Sequence, residues 1–333
     1  MKFIKMETKE KISLVLSTYN GHKFIKKQLD SIRTQICPPD EVIIHDDCSV
    51  DETVSIINDY IKVHNLVNWK ITVNERNLGY RENFRQGVLE ATGDYIFLCD
   101  QDDIWRPEKI LIMLSVFKAH PEIWSLNSGV ELIDAEDKPI EISCEDGWQN
   151  ANFLYAPEKL DELTFFDLSY ILRHNVSPGC TMVIDKRTKN GFIETYDCRL
   201  PHDWYMNMIA AANGGCAYLN NNLILYRRHS LNAIGANTGI VQGIKGKTRT
   251  VRIEDYEARL NSCINICRYY RIEMPDTALL KGMISFYKSP NLVKLVKMRR
   301  QEGYKELAKR KVKLWELVVA IHFDGVIRKV LGV

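Results

Sequence analysis

The chain has 333 residues, 45% of them apolar and 26% charged, with 45 Lys and Arg against 43 Asp and Glu. That length and apolar share are enough for a large buried core, and no run of eighteen apolar residues offers a membrane-spanning helix. Residues 291–333 carry eleven bases and four acids, leaving 34 bases and 39 acids elsewhere, so the body is too acidic for a nucleic-acid surface.

The nine cysteines form no Cys-x-x-Cys pair, and Cys263 and Cys267 have no histidine nearby. Reduced, mostly buried thiols of a cytosolic protein are the expectation. The opening residues, MKFIKMETKEK, lack the apolar centre of a signal peptide.

In chain order, Ile12–Ser17 is an apolar strand that ends in the turn Thr18-Tyr19-Asn20-Gly21. Phe24, Ile25, Leu29 and Ile32 recur at helical spacing until Pro38-Pro39 stops them. Glu41–Ile44 is a second strand, running out into His45-Asp46-Asp47-Cys48-Ser49. Asp51 opens a helix with Val54, Ile57 and Ile61 on one face. Ile71–Val73 and Asn77-Leu78-Gly79 make a third strand and turn, and Asn83–Glu90 a third helix. The strand Tyr95–Cys99 then ends in Asp100-Gln101-Asp102-Asp103. Such alternation predicts a parallel sheet, in which ligands bind beyond the carboxyl ends of the strands. Three of the four strand exits here are polar.

Three carboxylates in four residues repel one another unless water, bases or a cation compensates them. One reading is a solvated turn into the helix at Pro107, with Asp103 as its N-cap; the other is a binding site. No Gly-x-Gly-x-x-Gly follows the first strand. Gly246-Lys247-Thr248 has valine at 241, where a phosphate loop needs glycine. A diphosphate would then be met through a dication, Mg2+ or Mn2+, held by Asp102 with Asp100 nearby.

Ser17-Thr18-Tyr19-Asn20, His45–Asp51, Asn77-Leu78-Gly79 and Cys99–Asp103 resemble the successive motifs of family 2 glycosyltransferases of the GT-A fold, from about Ile12 to Gly235. The resemblance implies an α/β fold with a mixed central sheet and a C-terminal helical extension. It further implies that Thr18, Tyr19, Asn20, Asp46, Asp47, Asn77 and Asp100 contact a nucleotide-sugar donor and that Asp102 binds the metal. Cys48 departs from the glycine or small polar residue usual there.

Trp124–Ile133 reads as a strand, and 150–169 carries no recognisable chemistry. Pro178-Gly179 precedes an apolar strand; it is either an ordinary turn or, by the resemblance, part of the acceptor cleft. Asn175-Val176-Ser177 fits an N-glycosylation pattern, without meaning in a cytosolic chain. In Leu200–Ala212, Asp203 opens a helix. Alone it would be an N-cap or an acid at the positive helix end; the resemblance implies the general base that deprotonates the acceptor hydroxyl. A short strand from Leu223 exits into Tyr226-Arg227-Arg228-His229. The resemblance implies His229 as a late metal ligand beside Asp102 and suits Arg227 and Arg228 to diphosphate oxygens. HDWY followed by YRRHSLNAIG is similar to the bacterial rhamnosyltransferase-like subgroup that builds surface polysaccharides.

The expected organisation is a catalytic domain over 1–235, with a nucleotide-sugar half over about 10–105 and an acceptor half over about 106–235. A mobile loop over 236–250 and a basic helical extension over 251–333 follow. The basic stretch to Lys313 and the apolar Leu314–Phe323 read either as an interfacial anchor on an anionic membrane or as helices packed on the body. The whole predicts a cytoplasmic, metal-dependent, inverting enzyme with peripheral contact to the inner membrane face, using dTDP-rhamnose or a UDP-hexose on a glycan or lipid-linked acceptor. The alternative is a nucleotide-sugar-binding regulatory protein without transfer activity. A sugar-nucleotide pyrophosphorylase would need a Gly-rich loop after the first strand, which Thr18–Gly21 does not supply.

Overall fold

The computed structural model describes residues 10–229, 249–289, 292–301 and 303–304. These fall in two compact units, Met1–His229 and Ser230–Val333. Of the expected loop over 236–250, all but Arg249 and Thr250, which open a helix, lies outside the described residues, as does the apolar segment after Lys313.

The first unit is built on a sheet whose first four strands are β1 (Ile12–Thr18), β2 (Glu41–Asp46), β3 (Trp69–Val73) and β4 (Tyr95–Cys99). They lie side by side in the order β3-β2-β1-β4, all parallel. The intervening helices are α1 (Ile25–Arg33), α2 (Thr53–Val63) and α3 (Tyr80–Glu90). Helix α1 forms because Ile25, Leu29 and Ile32 make one buried stripe; each such burial contributes roughly 1.5–3 kcal/mol. From β1 the chain moves outward to β2 and β3, then returns to lay β4 on the other side of β1. The order therefore reverses between β1 and β4, where an α/β sheet opens a crevice at its carboxyl edge.

The short β5 (Ile104–Trp105) and helix α4 (Lys109–Ala119) lead to β6 (Ser125–Ile133). Two hairpin strands, β7 (Trp148–Gln149) and β8 (Leu154–Tyr155), then β9 (Leu163–Phe165) and α5 (Leu168–Arg173), fill the stretch that carries no legible pattern. The strand β10 (Val183–Asp185) runs antiparallel between β4 and β6 and makes the sheet mixed. Helices α6 (Lys186–Thr195) and α7 (His202–Ala212) precede β11 (Cys216–Arg227), which pairs parallel with β6. The strand expected from Leu223 thus begins seven residues earlier. Asn220, Asn221 and Asn222 are exposed at the irregularity in its register, and they hide the first half from a reading based on apolar runs.

The second unit contains α8 (Arg249–Tyr270), α9 (Ala278–Lys288) and α10 (Leu292–Arg299). Its buried residues include Cys263, Ile266, Leu280, Met283, Phe286 and Met298. No described helix is long and apolar enough to cross a membrane.

Candidate active site

The carboxyl ends of β1 and β4 flank the crevice and are tied by a side chain that sequence reasoning passed over. Gln101 accepts from the Tyr19 N–H at 2.8 Å and donates to the Tyr19 carbonyl at 2.9 Å. It acts as a one-residue strand partner across the point where sheet pairing ends.

The β2 exit is braced in the same way. Both oxygens of Asp46 are occupied, one by the Ser49 N–H at 2.7 Å and the other by the hydroxyls of Thr18 and Ser49 at 2.7 and 2.6 Å. Asp47 accepts from the N–H groups of Leu78 and Gly79, at 2.7 and 2.8 Å, and from Asn74 at 3.0 Å. Asn20 Oδ1 accepts from the Val50 N–H at 2.9 Å. Thr18 and Asp46, expected to grip the donor directly, are 1% and 0% exposed. They shape the loops instead, because a buried carboxylate is held only where donors surround it. Tyr19 and Asn77 do face outward. Cys48 adopts φ 65°, the left-handed region in which a glycine is unstrained, and this is why a glycine suits that position.

The three acids after β4 separate into different environments. Asp103 is buried and accepts the Arg227 backbone N–H at 2.9 Å. It is no helix cap: α4 starts at Lys109 with Glu108 before it. The Arg227 guanidinium, fully buried, donates to the carbonyls of Asp102 and Asp134 at 2.7 and 2.8 Å and pairs with Asp137 at 2.5 Å. Arg227 is therefore a strut between loops and does not reach the crevice as a diphosphate ligand. Arg228 donates its backbone N–H to Ile133 and has a part-exposed side chain.

His229 Nε2 lies 2.7 Å from Asp102 Oδ2, and its ring packs 4.7 Å from Phe24. The structure thus brings together two groups 127 residues apart. Desolvation, with the charges of Asp102 and Asp203 next, pushes Asp100 up to about 7. Ligand atoms of Asp100, Asp103 and Cys180 lie within 4.8 Å of one another. Asp102 and His229, in contact with each other, offer a carboxylate and an imidazole, donor types that suit Mg2+ or Mn2+.

Asp203 sits in the first turn of α7, 8% exposed. Burial pushes its carboxyl up to about 6, against the hydrogen bonds that favour the charged form. Asn175 Nδ2 donates to Asp203 Oδ2 at 2.7 Å. The turn beneath it approaches closely because position 179 has no side chain: a Cβ there would lie 2.9 Å from His202 Nε2 and 3.2 Å from Asp203 Cβ. His202 stacks on Phe84 at 3.9 Å, and neither ring nitrogen has a hydrogen-bond partner among the described residues. Burial drives it down to about 3, keeping it neutral. Arg81 of α3 donates to the carbonyls of Cys198 and Arg199 at 3.2 and 3.0 Å and fixes the segment entering α7.

Sheet order and strand exits define an α/β protein of the GT-A class, a fold shared with solved glycosyltransferases. TarS of Staphylococcus aureus, residues 1-349 in complex with UDP-GlcNAc, aligns over 92% of this chain and 77% of its own, at 18% identity and TM-score 0.57. The mannosyltransferase PcManGT of Pyrobaculum calidifontis, in complex with GDP-Man and Mn2+, aligns over 97% and 81%, at 13% identity and TM-score 0.53.

Residues 13–144 match the family model described as glycosyl transferase family 2. An uncharacterized protein of Mycobacterium tuberculosis is 27% identical over 221 residues, 66% of this chain and 59% of its own length. The putative teichuronic acid biosynthesis glycosyltransferase TuaG of Bacillus subtilis is 26% identical over 68% of this chain and 82% of its own. The dTDP-rhamnosyl transferase RfbG of Shigella flexneri is 26% identical over 67% and 74%.

Proposed function

We propose that the protein is an inverting glycosyltransferase that moves a sugar from a nucleotide-diphosphate donor, dTDP-rhamnose or a UDP-hexose, to a hydroxyl of a growing bacterial surface polysaccharide. One observation carries this reading: Asp102 and His229 meet at the crevice, while Asp203 stands close enough for its charge to raise Asp100. This proximity supports a charge-binding group and a base acting on one substrate. The names of RfbG and TuaG support a rhamnose donor and a cell-surface glycan, and those of TarS and PcManGT support a UDP- or GDP-sugar.

In this reading Tyr19, Asn77, Asp100 and Arg228 line the donor side, with Thr18, Asn20, Asp46 and Asp47 holding the loops behind them. Asp102 and His229 would hold Mn2+ or Mg2+, which when bound offsets diphosphate charge. Asp203 accepts the acceptor hydroxyl's proton as that oxygen bonds to the anomeric carbon. The bond to the diphosphate oxygen breaks on the opposite side, and the nucleoside diphosphate leaves with the electron pair. A carboxyl near pH 6 is largely ionised at neutral pH yet more basic than a solvated aspartate. The basic residues Lys294, Lys297 and Arg300 of the second unit suit peripheral contact with an anionic membrane carrying a lipid-linked acceptor, each worth roughly 1 kcal/mol at such a surface.

The test is thermal stabilisation by a panel of nucleotide sugars with Mn2+, followed by product analysis of the best donor. Saturation at a hundred times Kd adds about 2.7 kcal/mol. Asp102→Ala should abolish the Mn2+-dependent part of that affinity; an unchanged value sinks the metal assignment. Asp203→Asn should keep donor binding and lose transfer, and a fully active variant would remove Asp203 as the base.

A further inference from the structure

Behind Asp203 a file of side-chain amides runs through the core. Asn175 Nδ2 donates to Asp203 Oδ2 at 2.7 Å, and Asn207 Nδ2 donates to Asn175 Oδ1 at 3.0 Å. Asn207 Oδ1 in turn accepts from Ser125 Oγ and from Asn127 Nδ2, both at 2.9 Å. Asn127 Oδ1 lies 3.3 Å from the Asn207 amide, and its Nδ2 also reaches the Ala217 carbonyl at 3.2 Å. Ser125, Asn127 and Asn207 are completely buried. They come from β6 and α7, and Asn175 comes from the loop after α5.

The direction of this file is set at one end. A carboxylate only accepts, so Asn175 must present its NH2 to Asp203. Its oxygen then turns to Asn207, and Asn207 in turn must present its NH2 to Asn175. The Asn207 oxygen is left for Ser125 and Asn127. The Val176 N–H, 2.9 Å from Asn175 Oδ1, enforces the same orientation. Buried amides with every group matched are rigid, and each donor is polarised by the next.

We infer that Asn175, oriented by Asn207, is a positioning residue that pins one oxygen of the Asp203 carboxylate and presents the other to the acceptor hydroxyl. This rests on Asp203 being the base. Burial disfavours the charged carboxylate, and the Trp204 backbone N–H, the charge-assisted bond from Asn175 and the Asp203 backbone N–H oppose that effect; Asn175 is the one side chain among these donors. The other charged and titratable groups around Asp203 are Arg81 and Tyr80 from α3, Tyr196 before α7, Asp100 at the β4 exit and the neutral His202 beside it. None of them belongs to the amide file, so the variants below leave them in place.

The experiment follows the Asp203 carboxyl directly, by 13C-detected NMR titration of the full chain with Asp203→Asn as the assignment control. A hydrogen bond to a charged group is worth about one to two pH units. Asn175→Ala is expected to raise the Asp203 pKa by that much, and Asn207→Leu to raise it by less. Asn175→Ser, which can still donate, should restore much of the shift. An Asp203 pKa unmoved in Asn175→Ala and Asn207→Leu, with melting transitions like the parent, overturns the inference. So does failure of both Asn175 variants to fold, since the file would then be scaffold alone. The base assignment fails separately: Asp203→Asn would transfer sugar normally whatever the Asn175 titration shows.

Discussion

Asp203→Asn should make the protein more stable. In the unfolded chain Asp203 titrates at its ordinary value of 3.8, whereas burial raises it to about 6 in the fold. The folded state thus favours the protonated form. Below the unfolded value both states are protonated and the site costs nothing; as pH rises from about 4 to 6 the unfolded chain ionises first and stability falls. The gap of roughly two units corresponds to about 3 kcal/mol above pH 7. Asparagine is nearly isosteric and neutral, and its oxygen can still accept from Asn175. The variant should gain up to that amount at pH 8 and nothing near pH 4. For a domain of this size that is a rise in Tm of roughly 6–12 °C. Melting curves of parent and variant at five pH values between 4 and 8 measure the difference. A gain that does not change with pH, or a loss at pH 8, would refute the account of Asp203 as a carboxylate held against its own desolvation. The same substitution is expected to end transfer, which would make this a site where stability is given up for chemistry.

Gly179→Ala should lower transfer more than stability. Its Cβ, 2.9 Å from His202 Nε2 and 3.2 Å from Asp203 Cβ, forces the first turn of α7 to shift, at about 1–3 kcal/mol in the fold; steady-state kinetics with normal donor binding but reduced turnover would bear this out. Asp47→Ala should cost about 2–4 kcal/mol by thermal melting, because the N–H groups of Leu78 and Gly79 lose a charged acceptor. A change below 0.5 kcal/mol, marked with the scale of ordinary surface substitutions, would mean that the turn after β3 holds without it.

The parallel half of the fold was legible because its signals are local. Short apolar runs, each closed by polar turns and separated by helical spacing, specify β1 to β4 whatever the rest of the chain does. The Asp100–Asp103 cluster was legible for a similar reason: carboxylates that close cannot be left without compensation. What each polar residue does was not legible. Asp46, Asp47 and Asp102 look alike along the chain, yet the first two brace loops while the third stands at the crevice beside His229. Arg227 and Arg228 are neighbours, and strand alternation buries the first guanidinium against Asp102, Asp134 and Asp137.

Asn175 shows the limit most clearly. In sequence it is one residue of an Asn-x-Ser pattern, 28 positions from Asp203. Only the packing of α7 against β6 and the loop after α5 turns it into the partner of that carboxylate. The sequence by itself determined the alternation of β1 to β4 with α1 to α3, the acid-bearing strand exits and the resemblance to a family, since these rest on periodicity and on motifs a few residues long. The tertiary structure alone decided which carboxylates are buried, which are matched by donors and which face solvent. Hydrogen bonding and desolvation act between atoms a few ångströms apart, and those distances are set by residues far away in the chain.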